Sequence, residues 1–118
     1  MNSPDALLAL AALAHASRLQ VYRLLVRRGP EGYTPSQLLA QLELPPATLS
    51  FHLKALRGAG LVAVRRAGRH RFYSPDFTQM EALVGFLTDH CCSLGSAAAA
   101  ACCPPALPVA LPRPRQRA

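Results

Sequence analysis

With 118 residues the chain has room for one domain, which excludes a two-domain enzyme, and its 51% hydrophobic and 16% charged residues belong to a folding chain rather than a disordered one. Thirteen Lys and Arg against six Asp and Glu give a formal net charge of +7, which favours a polyanionic partner such as nucleic acid or an anionic membrane surface. A domain this small also leaves apolar surface hard to cover, so a second copy is the default expectation.

The first helical pattern runs from about Pro4 to Ala14, with Ser3 as N-cap and Leu7, Leu8, Leu10, Ala11 and Leu13 apolar on more than one face. Such a helix needs two partners, its own core and something else. A second pattern starts near Ser17, carries Leu19, Tyr22, Leu25 and Val26, and stops at Gly29 and Pro30. Thr34 and Pro35 open a short third helix burying Leu38, Leu39 and Leu42. A fourth follows from Pro46 to about Ala59, with Leu49, Leu53 and Leu56 as its buried stripe and Ala47, Phe51, Lys54 and Gly58 opposite. Two helices joined by a tight turn, the second exposing a basic face, describe a helix-turn-helix.

Leu61 to Arg66 and Arg69 to Ser74 read as the strands of a β-hairpin turning at Ala67-Gly68. After Pro75 a last helix is predicted to reach about Cys92, with Met80, Leu83, Val84, Leu87 and Cys91 as one apolar stripe. The predicted architecture is therefore mainly α with a two-stranded β-wing, a homodimeric winged helix-turn-helix. It occupies 1–95, followed by a cysteine-bearing segment at 96–103 and a Pro/Arg-rich tail at 104–118 expected to be disordered. No run of 18 apolar residues and no signal-peptide core occurs, so the expectation is a cytoplasmic protein with no membrane partner.

Charge is unevenly placed. Between Leu44 and Pro75 stand Lys54, Arg57, Arg65, Arg66, Arg69 and Arg71 with no acid, whereas Asp76 to Pro112 holds Asp76, Glu81 and Asp89 with no base. The positive segment is the recognition-type helix plus the wing. There Thr48, Ser50, His52 and Lys54 offer hydrogen-bonding groups to base edges or phosphates, and Phe51 suits a thymine methyl. Arg57 extends the basic face, and the wing arginines suit phosphates or the minor groove. A solvated basic face is the bland alternative, and His52, at the edge of the buried stripe, is equally a core histidine.

The four cysteines, Cys91, Cys92, Cys102 and Cys103, form two adjacent pairs in the last third of the chain. One buried Cys is ordinary core, but two pairs separated by a small, bendable segment point to a site for a soft ion. Adjacent cysteines suit a tetrahedral zinc site less well than a trivalent ion that needs three thiolates on one side. No nucleophile with a positioned base, phosphate-cradling glycine loop or paired carboxylates is found, so no enzyme is expected.

Three stretches carry a family likeness: Ala11 to Leu19 (AALAHASRL), Leu49 to Leu56 (LSFHLKAL), and Ala59 to Val62 (AGLV) with Arg66 to Arg69 leading to Tyr73. In this order the chain resembles the ArsR/SmtB group of metal-responsive transcriptional repressors. The resemblance implies a homodimer, packed through its first and last helices, on double-stranded operator DNA. Many members carry a Cys-x-Cys in the helix before the recognition helix, at the level of Gln37 to Gln41 here, and others carry His and Asp ligands on the last helix. This chain has neither, and looks like the arsenic-responsive members with a C-terminal three-thiol site. The inducer so implied is arsenic(III) or antimony(III) on Cys91, Cys92 and Cys102, with Cys103 as substitute. A redox switch, a Cd/Zn sensor of the same fold and a thiol-rich metal-binding protein are the competing expectations.

Overall fold

A computed structural model of the protein describes residues 1–95, in two compact units: Met1–Leu87, and a second that begins at Thr88. Cys102, Cys103 and the segments 96–103 and 104–118 lie outside the described residues. Seven elements follow in chain order: α1 (Ser3–Leu13), α2 (Ala16–Arg28), α3 (Pro35–Gln41), α4 (Pro46–Gly58), β1 (Val62–Ala67), β2 (His70–Pro75) and α5 (Phe77–Thr88). This is the winged helix-turn-helix expected from the pattern.

Local chemistry sets the boundaries. α1 begins one residue earlier than predicted because Asn2, not Ser3, is the cap, its Oδ1 accepting from the Asp5 N–H at 2.9 Å. His15 caps α2, its Nδ1 accepting from the Ser17 N–H at 3.2 Å, so that helix starts at Ala16. At α3 the Thr34 hydroxyl accepts from the Gln37 N–H while the Gln37 side chain accepts from the Thr34 N–H, a capping box behind Pro35. Asp76 does the same service for α5 through the Gln79 N–H at 3.1 Å. α4 starts behind Pro45-Pro46 with no side-chain cap.

The core forms where these helices converge. Val21, Leu25, Leu38, Leu49, Leu56 and Leu61 are completely buried, joined by Leu42, Leu53 and Leu83. Each such leucine contributes about 1.5–3 kcal/mol by leaving water. α1 meets this core through Ala6, Ala9 and Ala12, with Leu13 half-buried against it, while Leu7, Leu8 and Leu10 face outward. On α5, Leu83 is buried but Val84 and Leu87 are exposed, so the predicted stripe is only partly a core stripe.

β1 and β2 pair antiparallel from Val62↔Pro75 to Ala67↔His70, one residue beyond the predicted register. The turn is Gly68-Arg69 rather than Ala67-Gly68, with Gly68 at φ +63° supplying the left-handed position that the first central residue of a II′ turn requires. α5 ends at Thr88, four residues short of the predicted Cys92. His90 and Cys92 both adopt positive φ, 57° and 63°, which no α-helix accommodates, and the Cys91 N–H closes a turn onto the Thr88 carbonyl. Cys91 is exposed, so it does not extend the apolar stripe.

Candidate functional site

The leucine stripe of α4 fixes which side of the helix faces out. With Leu49, Leu53 and Leu56 inward, Ala47, Ser50, Phe51, Lys54 and Arg57 are exposed and Thr48 is half-buried. Phe51 is 65% exposed, a large apolar ring held in water by the helix that carries it. Arg66, Arg69 and Arg71 are exposed on the wing. Among the described residues none of Lys54, Arg57, Arg66, Arg69 and Arg71 is ion-paired, so their charge is available to an incoming anion. Arg66 and Arg71 stand directly opposite in the ladder, a like-charge pair that costs energy until a counter-anion reaches it.

His52 departs from the expected DNA-facing set. Its ring is 4% exposed, 4.8 Å from the His15 ring and 5.9 Å from Phe51. The reason is angular: one residue after Phe51, it falls beside Leu49 and Leu53 rather than opposite them. Burial, then the neighbouring His15 and Arg18, lower its pKa, so His52 is held neutral. Its Nδ1 has no hydrogen-bond partner among the described residues.

Arg65 also differs from its neighbours. It lies over the ring of Phe72, its cross-strand partner, at 4.6 Å, and its Nη2 donates to the Glu31 carbonyl at 3.1 Å. Glu31 belongs to the α2–α3 loop, which the sequence pattern did not connect with the wing. In that loop Tyr33 pairs with Tyr73, its N–H donating to the Tyr73 carbonyl at 2.9 Å and the Tyr73 N–H returning at 2.8 Å. Gly32, at φ +76°, lies so close that a Cβ there would sit 2.8 Å from the Tyr73 carbonyl oxygen. Arg28 completes the loop, donating to the Gly32 carbonyl and lying over the Tyr33 ring at 5.0 Å. No periodicity marks this contact, since it joins irregular chain to a strand edge.

Beyond α5, the Cys91 and Cys92 sulfurs lie 3.5 Å apart. Cys92 is held in disulfide-bonded form. Among the described residues no three His, Cys, Asp or Glu side chains are grouped to hold a metal ion, and His90 faces Asp89 at 3.6 Å. No described helix is long and apolar enough to cross a membrane.

Comparison with known proteins agrees with this geometry. A family model described as a helix-turn-helix domain matches residues 13–65. The transcriptional activator HlyU of Vibrio cholerae is 34% identical over 86 residues, covering 73% of this chain and 77% of that protein. The structure of reduced HlyU superposes with a TM-score of 0.60 at 33% identity, over 77% of this chain and 93% of that one. The homodimeric winged helix-turn-helix DNA-binding domain of Mb0332 from Mycobacterium bovis, titled a possible ArsR-family regulator, gives 0.58 at 26%, over 79% and 86%. An ArsR-like regulator from Rhodococcus sp. RHA1 gives 0.69 at 22%, over 83% and 90%, a likeness of fold. The chain belongs to the ArsR-type family of winged helix-turn-helix transcriptional regulators, which bind DNA through this module.

Proposed function

We propose that the protein is a homodimeric repressor that leaves its operator when its cysteines capture trivalent arsenic or antimony. The observation that carries this reading is the turn after α5, which sets the Cys91 and Cys92 sulfurs 3.5 Å apart. Two sulfurs this close lie within the span that a single ion bonded to both can bridge. In the reduced protein Cys91, Cys92 and either Cys102 or Cys103 would hold the ion, three thiols replacing the three hydroxyls of arsenous acid with loss of three waters. These thiols follow α5 directly in the chain, and the exposed apolar residues of α1 and α5 suit a second copy: Leu7, Leu8, Val84 and Leu87. A change at the end of α5 therefore reaches the dimer contact, and coupling of ~1–3 kcal/mol alters DNA affinity about 5- to 150-fold.

A second reading has its own support. Cys92 is disulfide-bonded in this structure, and a relative has been solved in a form titled reduced. Here two thiols and one peroxide give a disulfide and two waters, and the oxidised form leaves DNA. HlyU is named an activator, and one DNA-binding protein represses or activates according to where its site lies, so release from DNA is what an experiment reads.

The test is fluorescence anisotropy of a labelled duplex from upstream of the gene, with reduced protein titrated separately with arsenite, antimonite, zinc, cadmium and peroxide. Release by near-stoichiometric arsenite or antimonite, lost in Cys91→Ser and Cys92→Ser proteins that still bind DNA, is expected. Release by peroxide alone transfers the signal to thiol oxidation, and normal arsenite release in both variants overturns the metalloid reading.

A further inference from the structure

The four wing arginines are chemically alike but structurally unlike. All four are exposed, but Arg66, Arg69 and Arg71 are in no ion pair among the described residues, whereas the Arg65 guanidinium has both its face and an edge engaged. Its face lies on Phe72 at 4.6 Å, and an edge N–H is used by the Glu31 carbonyl at 3.1 Å. Planarity lets one group do both at once, which the ammonium of a lysine cannot. The carbonyl it holds lies two residues before Tyr33, whose paired hydrogen bonds add a one-residue third strand to β2. The β-ribbon is thus tied to one loop twice, by Tyr33 pairing with β2 and by the Arg65 side chain reaching from β1. A two-stranded ribbon is marginal by itself, and these anchors add to its links to α4 and α5 in setting its angle.

We infer that Arg65 is a positioning residue and not a DNA contact: it straps the wing to the α2–α3 loop and so fixes where Arg66, Arg69 and Arg71 meet the phosphates. This rests on the DNA-binding role given by family membership, and it is independent of what the cysteines sense. The strap explains why the chain places an arginine opposite Phe72 while leaving the Arg66–Arg71 pair uncompensated: the first pair is used within the protein, the second is left for DNA.

Two kinds of arginine respond differently to a swap that keeps the charge. A phosphate contact survives as lysine, whereas a strap does not. With the full chain and a labelled duplex from upstream of its gene, Arg65→Lys is expected to weaken binding about threefold or more, close to Arg65→Ala, whereas Arg69→Lys keeps clearly more affinity than Arg69→Ala. Phe72→Leu, which removes the stacking face and no charge, is expected to reproduce the Arg65→Lys loss. In an Arg66→Ala, Arg69→Ala, Arg71→Ala background the further effect of Arg65→Lys should largely vanish, because no wing arginine remains to be positioned. Unchanged thermal midpoints for Arg65→Lys separate this from loss of fold. Wild-type affinity in Arg65→Lys, or a penalty that persists in full without Arg66, Arg69 and Arg71, overturns the inference.

Discussion

His52 shows how one residue of a helix with an exposed basic face can belong to the core instead. Its ring is buried between the core and His15, and burial, His15 and Arg18 together lower its pKa below the ordinary 6.5. The unfolded chain therefore takes up a proton that the native state refuses, and stability is full above that value and is lost as pH falls below it. Between about pH 7.5 and pH 5.5 the thermal midpoint of the wild type is expected to fall further than that of His52→Gln, a comparison that isolates this group. Gly32 makes the converse point, since its restriction is steric. At φ +76° with the Tyr73 carbonyl in the place of a side chain, Gly32→Ala is expected to cost about 1–3 kcal/mol, read as a lower urea midpoint at unchanged slope.

At the scale of elements, caps and stripes were legible and packing between irregular segments was not. Thr34, Pro35 and the leucines of α3 and α4 announce their helices because each signal is local, and Thr34→Ala should cost about 1 kcal/mol in thermal or urea unfolding. The wing was found but displaced by one residue, because Ala67 and Arg69 are equally acceptable beside Gly68 and only pairing across the ladder decides. The end of α5 was misjudged because Cys91 continues an apolar spacing, whereas the positive φ of His90 and Cys92 is invisible in residue type. Within the DNA-facing set the exposed residues of α4 follow from its stripe. The special place of Arg65 depends on Glu31 and Phe72, far apart in sequence and brought together only by the fold. The outward leucines carry the expected dimer contact: Leu8→Glu is expected to give a monomer by sedimentation, with helical content retained.

For the whole molecule, charge and shape reinforce one another. The six basic residues of α4 and the wing, with no acid among them, give the helix-turn-helix a positive field, so affinity for DNA should fall linearly on logarithmic axes as salt rises, with a slope of about −0.9 for each phosphate neutralised. A nearly salt-independent affinity would contradict that placement. The alanine face of α1 carries a different consequence. Three alanines and the half-buried Leu13 tie this helix to its own core, while Leu7, Leu8 and Leu10 are outside. In the proposed dimer its order therefore draws on the second copy as well as on its own protomer, which makes a local property answer to mass action. Amide hydrogens of α1 should exchange faster on dilution while those of α2 and α4 do not, so the first helix serves as a gauge of how much protein is present.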